Sequence, residues 1–190
     1  DDKENLYLGS RAGNIDGRTF LPFKIIIDEL FSTLIGAWLA DGCYDKKSIL
    51  ISDPGVKVRL LIKEFAARFG ARAKVHSDHV TMMINSKGLR VFFERVLELK
   101  GDAYTKRVPE WVFGLDKETT SSLIKGYFNG DGCVKKDEIC INSSSRGLLK
   151  DFQTLLLRFE IPLRISLNLK KDKTYESRIS GSKFLRTFYH

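Results

Sequence analysis

The triplet Asp41-Gly42-Cys43 recurs ninety residues later as Asp131-Gly132-Cys133. At the same offset Gly36 is matched by Gly126 and Arg68-Phe69 by Arg158-Phe159, and the spacing then drifts, so that Leu89-Arg90 aligns best with Leu185-Arg186. Units that stack into solenoids are only about 20–45 residues long, so a period of this length reads as a duplicated half-domain. Residues 25–115 form the first half and 116–190 the second. Residues 1–24 read as an extension or linker, in part not native, and stay outside the fold reasoning.

Both halves repeat one order of elements. In the first, a helix over about 28–40 is followed by the basic turn Asp45-Lys46-Lys47 between two short strands, the second over 48–52. Asp53 is a natural N-cap with Pro54 just inside the next helix, whose apolar residues Leu61, Phe65 and Phe69 recur at helical spacing before Gly70 stops it. Strands near 71–76 and 80–85 follow, split by Ser77-Asp78, and Ser86 caps a helix carrying Leu89, Phe92, Phe93, Val96 and Leu97. The second half gives helix 118–130, a strand over 138–142 after the Lys135-Lys136-Asp137 turn, helix 145–159, strands near 163–169 and 174–180, and a helix from Ser182. Hairpins and helices in the order α-β-β-α-β-β-α, without alternating βαβ units, predict an α+β fold with two antiparallel sheets related by a pseudo-twofold axis.

The helix before each Asp-Gly pair carries small residues four apart, Gly36 and Ala40 in one and Gly126 and Gly130 in the other. Such residues share a helical face and let two backbones approach closely. Glycine inside a helix costs about 1 kcal/mol, so its presence needs a packing reason. Packing these faces together brings Asp41 and Asp131 side by side at helix C-termini, where carboxylates are disfavoured by the dipole and by each other. A hard divalent cation such as Mg²⁺ removes both objections. A single Asp-Gly is more often only a turn; two copies behind matched small-residue faces favour a metal site.

The paired segments resemble the two motifs of the LAGLIDADG homing endonucleases in their single-chain form. Leu34, Gly36, Ala40, Asp41 and Gly42 match the first motif, and Gly126, Asp131 and Gly132 the second. Lys106-Arg107-Val108-Pro109 resembles the block that precedes the second motif in intein-borne members, and the stretch from Leu155 to Ile161 the leucine-rich block after it. The resemblance implies site-specific hydrolysis of both strands of a long double-stranded DNA target by a monomer with internal pseudo-twofold symmetry. It implies Mg²⁺ or Mn²⁺ on Asp41 and Asp131, and Lys106 as a catalytic lysine that stabilises charge or helps activate water. The matching lysine of the second half would fall beyond His190, which leaves that half incomplete at its C-terminus. The same fold serves RNA-splicing maturases and non-cleaving DNA-binding regulators; the presence of both acids argues against the regulator and leaves the maturase open. Neither an N-terminal nucleophile block nor a terminal His-Asn pair is present, so self-splicing by these residues is not expected.

The formal net charge of +8 suits a polyanionic partner. If the sheets form a saddle for DNA, the basic candidates are Lys46, Lys47, Lys135, Lys136, Arg164, Lys170, Lys171, Lys173 and Arg178. No run of ~18 apolar residues predicts a membrane span and no signal-peptide pattern opens the chain, so an intracellular protein with reduced thiols is expected. His76 and His79 lack a third ligand and read as a surface turn. Cys43 and Cys133 are expected to pack as small hydrophobes, and Trp38 and Tyr127 to fill the core from the same motif position.

Overall fold

The computed structural model describes residues 5–8, 19–22, 24–52, 55–135, 137–167 and 174–189. Strands β1 (Asn5–Leu8) and β2 (Thr19–Pro22) pair as an antiparallel hairpin. Residues 1–24 are expected to lie outside the fold, yet Leu21 is buried within the common core. No helical or strand period spans so short a stretch, which is why composition alone suggested a linker.

The first half then follows the expected order. Helix α1 (Glu29–Asp41) leads into β3 (Gly42–Tyr44) and β4 (Ser48–Ile51), then α2 (Gly55–Arg68), β5 (Ala73–Val75), β6 (Met82–Asn85) and α3 (Lys87–Val91). The second half gives α4 (Lys117–Asp131), β7 (Gly132–Lys135), β8 (Glu138–Ser143), α5 (Arg146–Leu157), β9 (Arg164–Leu167), β10 (Tyr175–Ser180) and α6 (Ser182–Tyr189). The sheet orders β3-β4-β6-β5 and β7-β8-β10-β9 are the same pattern in each half, with every pairing antiparallel. The described residues therefore form a mixed α+β fold with two four-stranded antiparallel sheets, the β1-β2 hairpin and six α-helices. The expected cap of α2 at Asp53 and Pro54 lies outside the described residues.

Both motif helices start alike. Asp28 accepts a hydrogen bond from Phe31 N at 2.9 Å to open α1, and Asp116 accepts one from Thr119 N at 2.8 Å to open α4. Each carboxylate satisfies an orphan N–H and faces the positive end of the dipole. The helices are buried on nearly all sides at their centres, from Leu34 to Leu39 in α1 and from Ser122 to Ile124 in α4. Aromatic packing fixes the rest of each half. Phe65 lies 5.0 Å from Phe31, 4.9 Å from Phe69 and 5.6 Å from Phe93 by ring centroids, and Tyr127 stacks on Phe152 at 4.0 Å.

One helix departs from expectation. After Val91, α3 widens into a π turn over Phe92–Val96, which takes Val96 out of the apolar row and leaves it 64% exposed. Among the described residues no helix is long and apolar enough to cross a membrane.

Candidate active site

The two motif helices pack backbone against backbone. A Cβ at Gly36 would collide with the Leu123 carbonyl and the Tyr127 amide of α4, and one at Gly126 with the Thr33 carbonyl of α1. Farther along, a Cβ at Gly130 would lie 2.6 Å from Ala40 Cβ and 2.7 Å from Asp41 Oδ2. Glycine is therefore present for space, and the small-residue faces at Gly36, Ala40, Gly126 and Gly130 are the surfaces in contact. Ser32 Oγ also donates to the Thr119 carbonyl at 2.7 Å, bonding the two helices across the interface.

The glycines after the acids serve space as well. Gly42 and Gly132 have φ of −81° and −83°, an extended conformation open to any residue. A Cβ at Gly42 would strike the Trp38 ring, and one at Gly132 the Phe128 ring. The Asp-Gly pairs are thus helix-to-strand junctions rather than turns. This geometry also corrects the expected equivalence of Trp38 and Tyr127. Both are fully buried, but the partner of Trp38 is Phe128, while Tyr127 corresponds to Ala37.

Asp41 and Asp131 border one open cavity of about 350 Å³, together with Lys106, Asn142, Ser143 and Glu176. Burial, and next the neighbouring Asp41 charge, push the Asp131 carboxyl up to about 6. The Tyr127 hydroxyl is buried beside Asp131 and Ser143; burial first, then the Asp131 charge, hold it well above the ordinary phenol range.

Lys106 is 5% exposed and reaches the C-terminal end of α1. Its Nζ donates to the carbonyls of Trp38, Leu39 and Ala40 at 3.0, 3.2 and 3.2 Å and sits 4.9 Å over the Trp38 ring. Three protons meet three carbonyls, so the ammonium caps a helix that has no basic residue of its own in its last turn. Burial holds Lys106 below the usual lysine range, opposed by Asp131 and then Asp41.

The backbone of Lys106 is held by the opposite half. Ser145 Oγ, which also caps α5, donates to the Lys106 carbonyl at 2.8 Å. Asp151 accepts two bonds from Arg107, at 2.6 and 2.7 Å, and a third from Val108 N at 3.0 Å. Sequence reasoning missed both residues. Ser145 shows itself only as the start of the helix expected over 145–159, and nothing in the period of α5 distinguishes Asp151.

The basic candidates divide. Lys46 and Lys47 are exposed in the turn between β3 and β4, and Arg164 is exposed on β9. Lys135 pairs with Glu176 at 3.6 Å, and Arg178 pairs with Glu176 at 2.7 Å and Glu138 at 3.6 Å. Lys136, Lys170, Lys171 and Lys173 lie outside the described residues. His76 and His79 flank a turn braced by Asp78, which accepts from Val80 N and Thr81 N.

Cys43 and Cys133 do not pack as expected. Both are exposed, whereas Cys140 is buried. Each follows its junction glycine on the first strand, and alternation turns it to the face away from the core, opposite Leu50 in one sheet and Cys140 in the other.

Residues 118–190 match the family described as "LAGLIDADG-like domain". The chain is 32% identical over 156 residues to the DNA-directed RNA polymerase subunit Rpo1C of Methanocaldococcus jannaschii, covering 79% of this chain and 18% of that protein. It is 29% identical to the DNA polymerase II large subunit of Thermococcus kodakarensis, over 83% of this chain and 9% of that protein. The chain thus spans less than a fifth of the length of these relatives. Among solved structures it is similar to a mesophilic variant of the homing endonuclease I-DmoI, with a TM-score of 0.68, 15% identity, and coverage of 86% of this chain and 94% of that one. I-DmoI has also been solved in complex with DNA and Mn (TM-score 0.64, 16% identity, 86% and 94% covered). The N-terminal LAGLIDADG domain of DUF199/WhiA is similar with a TM-score of 0.59 and 19% identity, covering 88% of this chain and 83% of that one. The fold is that of the LAGLIDADG homing endonucleases.

Proposed function

We propose that this chain is a divalent-metal-dependent DNA endonuclease that hydrolyses both strands of a long double-stranded target, as a homing endonuclease does. One observation carries the reading. Asp41 and Asp131 end two helices held together at Gly36 and Gly126, and both acids border one cavity with Lys106.

The donor set suits Mg²⁺ or Mn²⁺. Two carboxylates meet at helix ends rich in carbonyl oxygen, and Gly130 leaves room for the Asp41 carboxylate where a Cβ would press on Oδ2. No group of three His, Cys, Asp or Glu side chains gathers among the described residues, so water and phosphate oxygens would complete the shell, as Mg²⁺ prefers. When bound, the metal polarises the scissile phosphate and lowers the pKa of the attacking water. The chain's own residues do the rest. Asp41 and Asp131 fix the cation position, the Gly36–Gly126 contact fixes their spacing, and Lys106 holds the end of α1 while its charge offsets theirs. With its three protons on carbonyls, Lys106 acts on the reaction chiefly through that helix end. Lys46, Lys47 and Arg164, all exposed, are the proposed phosphate contacts.

The relatives named above are enzymes of different work, and what they share with this chain is a segment under a fifth of their length. That supports reading the chain as the nuclease part of a mobile insert of intein type. The likeness to the WhiA domain supports a second reading, a DNA-binding protein that does not cut.

The test is cleavage of a plasmid library carrying candidate insertion sites, with and without Mg²⁺. Metal-dependent double-strand cleavage that is lost in Asp41→Asn and in Asp131→Asn is expected. Tight duplex binding without cleavage at any site would replace the nuclease with the second reading, and preference for structured intron RNA would point to a maturase.

A further inference from the structure

The open faces of the two sheets are built on the same register and carry different chemistry. Residues directly opposite in antiparallel strands point to one face. In the first sheet Cys43, Leu50, Met83 and Lys74 stand in one row across β3, β4, β6 and β5. In the second, Cys133, Cys140, Arg178 and Arg164 form the equivalent row across β7, β8, β10 and β9. Their neighbours Ile49, Ile51, Met82 and Ile84 in the one, and Ile139, Ile141 and Ile179 in the other, are buried on the opposite, core face. Both rows therefore face away from the core.

The centre of the first row is apolar and half-buried, formed by Leu50 and Met83. The same two places in the second row hold Cys140, which is fully buried and offers no contact, and Arg178, gripped by Glu176 at 2.7 Å and Glu138 at 3.6 Å. An arginine so neutralised adds little attraction for phosphate. It is instead fixed in orientation, and each Nη carries a second proton for an outside acceptor. Thymine offers a methyl group in the major groove and guanine offers the O6 and N7 acceptors that suit a guanidinium fork.

We infer that the two sheets read chemically different half-sites: the first takes thymine methyl groups against Leu50 and Met83, and the second takes guanine against Arg178. The inference rests on the nuclease reading, in which both open faces lie against duplex DNA. It makes the target asymmetric at equivalent positions although the protein is a duplicated half.

The experiment is selection of bound duplexes from a random-sequence pool in Ca²⁺, followed by base analogues at the enriched positions. Thymine is expected at the centre of one half and guanine at the centre of the other. Replacing that thymine with deoxyuridine, which lacks only the methyl, should weaken binding about fourfold per methyl. Replacing the guanine with 7-deazaguanine should weaken it about two- to tenfold by removing one acceptor. In the Leu50→Ser/Met83→Ser variant the deoxyuridine effect should vanish, and in Arg178→Ala the 7-deazaguanine effect should vanish. Arg178→Ala should also move the salt slope by well under the roughly 0.9 of a phosphate contact. Enriched halves of the same composition, or analogues bound as well as the natural bases, would overturn the inference and leave the nuclease reading standing. Failure to enrich any duplex would overturn both.

Discussion

Lys106 Nζ lies 3.0 Å from the carbonyl oxygen of Trp38, a residue of the helix that ends in Asp41. A lysine from the segment between the halves thus caps the first motif helix, while its own carbonyl and its neighbour Arg107 are held by the second half. The acid pair and its adjacent cation are one unit spanning the pseudo-twofold.

Lys106→Met should be costly to stability and to activity together. It leaves three carbonyls of α1 without their cap, and a buried unsatisfied acceptor costs about 1–3 kcal/mol. Urea unfolding should show a loss of about 2–4 kcal/mol in total, less than the sum because water reaches the α1 end. Metal-dependent cleavage should fall steeply while duplex binding changes little. Unchanged stability would show that the cap carries no weight.

Asp131 should impose a pH dependence on the metal-free protein. Its carboxyl is pushed up to about 6, well above the ordinary carboxylate range, first by burial and then by Asp41. The folded state then holds a proton that the unfolded state has released, so this contribution to stability is full below about pH 4. It is lost as pH rises through about 6, by at most about 3 kcal/mol. Asp131→Asn should flatten that window in thermal unfolding without metal and should be the more stable protein at pH 7.

The same group sets the pH dependence of metal binding. Below about pH 6 a cation must displace a proton from Asp131, so apparent affinity should fall up to tenfold for each further pH unit. Calorimetric titration with Mg²⁺ or Mn²⁺ across pH 5–8 measures this. Affinity constant over that range would remove Asp131 from the ligand set.

Gly36→Ala should prevent the helix pair from closing, because the added Cβ meets the rigid carbonyl of Leu123 and the amide of Tyr127. The cost is about 3 kcal/mol or more, at the upper end for overpacking, since backbone cannot rotate away as a side chain does. Gly114→Ala, which meets nothing within 4 Å, is the control and should leave stability nearly unchanged.

Asp151→Ala should release the Lys106 segment without touching the acids. It removes a bidentate arginine pair and a bond to Val108 N, a loss of about 2 kcal/mol. Cleavage rate should drop with little change in DNA affinity, a split that separates positioning of Lys106 from binding of the duplex.

The sequence by itself determined the duplicated order of elements, because a half-domain repeat leaves Asp41 and Asp131, with their glycine faces, at equal places in two copies. Periodicity, the cap at Ser86 and the glycine rows are local signals, readable over a few residues. Whether a side chain lies on the covered or the open face of a sheet, and what lies across from it, is settled by packing at long range. That is why residue type alone puts Cys43 and Cys133 in the core when alternation turns them outward, and makes β1 and β2 look like linker although Leu21 joins the core. Tertiary structure alone decided that Lys106 is buried and spends its three protons on α1, and that Asp151 and Ser145 hold it there. It also decided that the matched sheets bear a leucine and methionine in one half and a glutamate-held arginine in the other. The Lys106 contacts join residues dozens of positions apart, and a hydrogen bond between such residues leaves no periodic trace in the chain.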